Sequence, residues 1–180
     1  MNISIGPKSR FKLFSFLNKM NIENIFIIVG KNSSKEKLIS TFLEKIKREY
    51  KINIYNKKNH NPEFFESFKA SKKIKTTRSN AIIAIGGGSV IDTAKLISAF
   101  EPYDINDSKK IMLGKKIINK NLIPLIAIPT TSGTGSEATH FAVVYYKEKK
   151  YSLASKKILP LMCFLDSELT YSMSKYIAAS

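Results

Sequence analysis

Three continuous apolar runs set the strongest limit on how this chain can fold. NIFIIVG at 24–30, NAIIAIGGG at 80–88 and LIPLIAIPT at 122–130 each run almost unbroken, and each gives way to a loop of small residues. Runs of this length, rich in Ile and Val, belong to strands buried on both faces, as in a parallel sheet covered by helices. LPLMCFLD at 159–166 reads the same way, and KINIYN at 51–56 alternates as a strand.

Between the strands stand stretches with helical spacing. SRFKLFSFLNKM at 9–20 places Phe11, Phe14 and Leu17 on one face. The segment 33–50 opens on Ser33, carries Leu38, Phe42, Leu43 and Ile46 on one stripe, and ends in basic residues, which predicts a helix. NPEFFESFKASKKI at 61–74 predicts another, with Pro62 at its first position. SVIDTAKLISAF at 89–100 predicts a third, and SMSKYIAAS at 172–180 reads as the opening turns of a last one. The polar interval 101–121 reads as a loop with room for one short helix, while HFAVVYY and KYSLAS form a hairpin around KEKK. The alternation defines an α/β domain over 1–180, a mostly parallel sheet with helices on both faces. Such folds take ligands beyond the carboxyl ends of their strands. The loops GKNSS, GGGS and TTSGTGS all fall there.

Composition narrows the partners. A net charge of +16 invites polyphosphate. Yet of the 30 basic residues only Arg10, Arg48 and Arg78 are arginine, the side chain suited to bidentate phosphate and base recognition. The lysines are scattered, so nucleic acid is not the expected partner. No apolar run approaches the roughly 20 residues of a membrane span, and the N-terminus lacks a secretory pattern. These features predict a cytoplasmic protein that binds a small molecule. The single cysteine, Cys163, sits in an apolar run and reads as a buried side chain.

Gly86, Gly87 and Gly88 end one buried strand and meet a helix opening at Ser89. Residues without Cβ atoms permit positive φ and let an anion approach the backbone, while the helix start supplies free amides and partial positive charge. A phosphate or pyrophosphate suits this arrangement; a tight structural turn also fits, since GGGS matches neither G-x-G-x-x-G nor a Walker loop. Asp92 and Lys95 read most simply as an i, i+3 surface pair. In the second loop Thr130, Thr131, Ser132, Thr134 and Ser136 offer hydroxyls to a polar ligand. At the first loop, nicotinamide-binding folds place an acidic residue for the ribose of NAD or a basic one for the 2′-phosphate of NADP. This chain has Gly30, Lys31, Asn32 and Ser33.

Taken together, these residues resemble the iron-containing (group III) alcohol dehydrogenases. GGGSxxDxAK is matched by Gly86 to Lys95, and PTTxGTGSExT by Pro129 to Thr139. FAV, KYSL and LDSELT follow in the family's order at 141–143, 150–153 and 165–170. The resemblance implies a Rossmann-like dinucleotide-binding domain. It implies that Gly87, Gly88, Ser89 and Asp92 contact the cofactor diphosphate and its neighbourhood. It implies too that Thr130, Thr131, Thr134 and Phe141 approach the ribose and nicotinamide side, with Lys150 hydrogen-bonding a ribose. The reaction implied is hydride transfer between a nicotinamide cofactor and a small alcohol or aldehyde.

Two departures qualify the resemblance. Many members carry Asp where Gly30 stands, and its absence beside Lys31 points to NADP(H) over NAD(H). GKNSS, NHNPEFFES and YKEKKYSLAS are most similar to the phosphonoacetaldehyde reductase-like branch. The family holds iron or zinc through one Asp and three His of a helical C-terminal domain, and no such domain is recognisable here. His60 and His140 are the only histidines, neither matches a ligand position, and no metal site is expected in this chain. His140 is expected to pack or face solvent. Three further expectations follow: a complementing C-terminal domain or homo-oligomer as partner, a non-catalytic nucleotide-binding module as the alternative function, and a dehydroquinate synthase-like lyase as a more distant one. The TTSGTGSE loop argues against the lyase.

Overall fold

In the computed structural model, which describes residues 2–31 and 33–171, the alternating runs become a six-stranded sheet. The strands are β1 (Asn2–Ile5), β2 (Asn24–Gly30), β3 (Lys51–Lys57), β4 (Ala81–Gly86), β5 (Leu125–Pro129) and, after the hairpin β6 (Phe141–Tyr146) and β7 (Lys149–Ala154), β8 (Met162–Leu165). The order across the sheet is β1-β8-β5-β4-β2-β3, and every pairing in it is parallel. The helices are α1 (Leu13–Lys19), α2 (Lys37–Glu49), α3 (Phe64–Thr77), α4 (Gly88–Phe100) and α5 (Ile105–Met112).

The two-residue period of the strands explains why their runs are apolar throughout. Ile25, Ile27 and Val29 of β2, with Ala81, Ile83 and Ile85 of β4, pack toward Leu13 and Leu17 of α1 and Ile39, Phe42 and Ile46 of α2. The intervening Phe26, Ile28, Ile82 and Ala84 pack toward Ala70 and Ile74 of α3 and Ile91, Ala94 and Ile97 of α4. Helices therefore cover both faces. A third cluster joins Leu96, Ala99 and Phe100 of α4 to Ala142, Val144 and Leu153 of the hairpin. Successive connections run outward from β2 to β3 on one face and return to β4 on the other. The sheet thus has a switch point between β2 and β4, where such folds open a crevice.

Several boundaries differ from the sequence expectation. β1 was not anticipated: four residues with exposed Ile3 and Ile5 carry too little pattern to announce an edge strand. The 9–20 helix begins as a 3-10 turn at Ser9–Lys12, and α2 starts at Lys37 after another at Ser33–Lys35. Pro62 precedes α3, where its carbonyl accepts from the Tyr145 amide at 2.7 Å, so the helix opens at Phe64. The interval 101–121 holds α5, whose Asp104 cap accepts from the Asp107 amide at 2.8 Å. β5 is shorter than 122–130, starting at Leu125. Cys163 is buried as expected, and burial pushes its thiol up to about 12. The predicted helix at 172–180 lies outside the described residues.

Candidate functional site

The candidate site forms where β2, β4 and β5 end together, Gly86 lying in register with Pro129. Gly86 has φ of 156°, and a Cβ there would stand 2.7 Å from Val90 Cγ2. The next two glycines make room for the threonine loop. A Cβ on Gly87 would meet Thr131 Oγ1 at 3.0 Å, and one on Gly88 would meet Thr134 Oγ1 at 2.9 Å. The Thr130 amide completes the junction by donating to the Gly86 carbonyl at 3.1 Å. Each glycine therefore has a steric reason within the chain itself. The same bare backbone opens α4, where the Val90 amide turns back to the Gly87 carbonyl at 2.9 Å and the amides of Gly88 and Ser89 stand ahead of the first intrahelical bonds, a position that favours an anion.

On the β2 side of this turn, Gly30, Lys31, Ser33, Ser89 and Val90 line a cavity of about 340 Å³. Its remaining wall is Lys57, Lys58, Asn59 and His60, the segment after β3. Lys57 is buried, and its ammonium donates to the carbonyls of Asn59, of His60 at 2.8 Å and of Asn61 at 3.2 Å. Burial lowers its proton affinity, against Glu66 and Glu63. Ser89 Oγ donates to the His60 carbonyl across the cavity. This wall was missed from sequence because KNHNPE carries neither glycine nor a hydroxyl cluster. Its position directly after a strand, at the same end of the sheet as the other loops, was the available clue.

The structure corrects the reading of Asp92 and Lys95 as a surface pair. Both are buried. Asp92 Oδ2 accepts from the Val143 amide of β6 at 3.0 Å, turned toward the hairpin, and burial raises its pKa against the pull of that amide, Lys95 and Ser136. Lys95 Nζ donates to the carbonyls of Ser136, Thr139 and Phe141 at 2.5, 2.7 and 2.7 Å. Phe141 is exposed at the start of β6, with the His140 ring 4.1 Å from its own. Thr130 is buried, and Lys150 stands exposed on β7 opposite Tyr145. Thus Gly30, Lys31, Ser33 and Ser89 share one cavity; Gly86, Gly87 and Gly88 share a junction with Thr130, Thr131 and Thr134; Lys150 joins neither. Asn32 lies outside the described residues.

Among the described residues no three His, Cys, Asp or Glu side chains converge as metal ligands, and His60 and His140 lie in different loops. No described helix is long and apolar enough to cross a membrane.

A doubly wound parallel sheet with a glycine turn, a helix N-terminus and a lysine-rimmed cavity at its switch point defines an α/β unit of the class that takes ligands at that crevice. The iron-containing alcohol dehydrogenase family matches residues 1–167, and the chain belongs to that family. It is 31% identical over 178 residues to long-chain primary alcohol dehydrogenase AdhA of Thermoanaerobacter ethanolicus, covering 95% of this chain and 44% of that protein. It is 33% identical to the mitochondrial hydroxyacid-oxoacid transhydrogenase of Xenopus laevis, covering 91% of this chain and 37% of the relative. Among solved structures, an iron-containing alcohol dehydrogenase of Thermotoga maritima superposes with a TM-score of 0.86 at 27% identity over all of this chain and 50% of the other. A sulfoacetaldehyde reductase of Bifidobacterium kashiwanohense, solved with NAD+, has the same fold, with a TM-score of 0.90 at 23% identity over 98% and 47% of the two chains. The chain spans half or less of the length of each of these relatives.

Proposed function

We propose that this chain is the NADP(H)-binding portion of an alcohol dehydrogenase or aldehyde reductase. The observation that carries the cofactor preference is the cavity at the switch point. Gly30 brings no carboxylate to it, and Lys31, Lys57 and Lys58 line it. The ammonium of Lys57 is taken up by three carbonyls, which leaves Lys31 and Lys58 to meet a 2′-phosphate. Gly86 to Ser89 would receive the diphosphate at the start of α4. Thr130, Thr131, Thr134 and Phe141, with Lys150 on the neighbouring strand, would serve the ribose and nicotinamide side.

The cofactor supplies the hydride; the chain binds and orients it. The proposed substrate is a small alcohol or aldehyde, with a phosphonate aldehyde as the finer reading from the resemblance. The metal of the family would polarise the substrate oxygen. The described residues do not hold it, so turnover is proposed only together with a complementing C-terminal domain. A non-catalytic nucleotide-binding module is the second reading.

Titration with NADPH and NADH, followed by nicotinamide fluorescence, tests the preference. NADPH should bind about tenfold tighter or better, and Lys31→Ala or Lys58→Ala should remove most of that margin, as lost charged hydrogen bonds do. Equal affinity, or an NADH preference, overturns it. Activity on adding the C-terminal half of a relative with iron or zinc would separate the enzyme reading from the module.

A further inference from the structure

Lys95 lies beneath the candidate site, on α4, with no solvent exposure. An ammonium has three protons, and here three carbonyls of one short segment take them, with Thr139 Oγ1 at 3.3 Å beside them. One turn earlier, Asp92 holds the Val143 amide of the same segment. Two side chains of α4 therefore fix residues 136–143 through opposite charges. The outer part of this loop places Thr134 Oγ1 against Gly88, and its end sets Phe141 at the start of β6.

We propose that Lys95 is a positioning residue for the nicotinamide half of the cofactor, gathering the Ser136–Phe141 segment into the shape that presents Thr134 and Phe141. The inference rests on the cofactor reading above. Burial lowers its pKa to about 8 against the opposing pull of Asp92 and Glu137, so the charge is held there at a desolvation cost that its three carbonyl bonds offset. The cavity around Gly30, Lys31 and Ser89 is held by a separate clasp, Lys57. Loss of Lys95 should therefore damage one half of the cofactor's binding and spare the other.

Two probes separate the halves: NADPH, and adenosine 2′,5′-bisphosphate, which carries the adenosine side alone. In the full 180-residue chain, Lys95→Met should weaken NADPH by about tenfold or more and leave the bisphosphate unchanged, even though the three unpaired carbonyls and Asp92 lower the melting temperature. An unchanged NADPH affinity, or equal weakening of both probes, overturns the proposal. Lys95→Gln keeps two N–H donors on a shorter arm and decides by the same split should the Met variant fail to fold. If the unaltered chain binds neither probe, the cofactor reading fails by itself, and the positional claim is then judged by hydrogen exchange. Exchange of the 136–143 amides should rise by about tenfold in either variant with β2 and β4 unaffected; unchanged exchange overturns it.

Discussion

Asp166 takes four donors on a carboxylate with no solvent exposure: the amides of Lys8, Arg10 and Glu168 at 3.0, 3.2 and 3.1 Å, and Arg10 Nη1 at 2.6 Å. Arg10 also reaches Glu168 at 2.8 Å. Through this one side chain the 3-10 turn after β1 is tied to the end of β8, across a separation of 156 residues. Removing one partner of a buried pair costs more than the pair contributes, because the other charge is left uncompensated. Asp166→Ala should lower stability by about 3 kcal/mol, the lower end of the usual range since Glu168 remains for Arg10. Urea unfolding measures it, and a loss under about 1 kcal/mol would show that water replaces the carboxylate freely.

At the scale of elements, the apolar runs announced β2, β4, β5 and β8 because a strand buried on both faces has no polar face to blur it. The glycine turn and threonine loop were legible for the same reason: they interrupt such strands. Lys95 and Asp92 were not, since a charged pair three residues apart on a helix looks solvated until the hairpin is laid over it. That contact is non-local, but α4 did carry a sign of it: with Ala94 and Ala99, the residues Val90, Ile91, Leu96, Ile97 and Phe100 surround the helix axis, and a helix apolar on every side is a buried one. The expected hairpin formed, although its turn residues, Lys147 and Glu148, both sit at positive φ, 50° and 62°. Two left-handed positions match the turn that suits strand twist, where Asn-Gly is preferred. Lys147→Asn with Glu148→Gly should therefore stabilise the fold by about 1 kcal/mol, read as a higher denaturant midpoint; no gain would mean that the flanking packing, not the turn, fixes the hairpin.

At the scale of the whole molecule, the charge of +16 needs a physical account, since the site occupies only a small part of it. Two described lysines are buried and a third half-buried, each gathering backbone carbonyls: Lys57 after β3, Lys95 under the threonine loop, and the half-buried Lys72, which donates to Phe100, Glu101 and Tyr103 at the end of α4. A cation among the last carbonyls of a helix satisfies orphan acceptors and opposes the helix dipole. Most of the other lysines face solvent, where like charges repel in the compact state. Added sodium chloride should therefore raise the melting temperature as it screens them, the screening length falling to about 8 Å at physiological ionic strength. Phosphate at matched ionic strength should raise it further if the switch-point cavity and the α4 N-terminus bind anions, because a ligand held by the folded state alone stabilises it by mass action. Equal melting curves in the two salts would assign the whole effect to screening and remove anion binding as a support for the cofactor site.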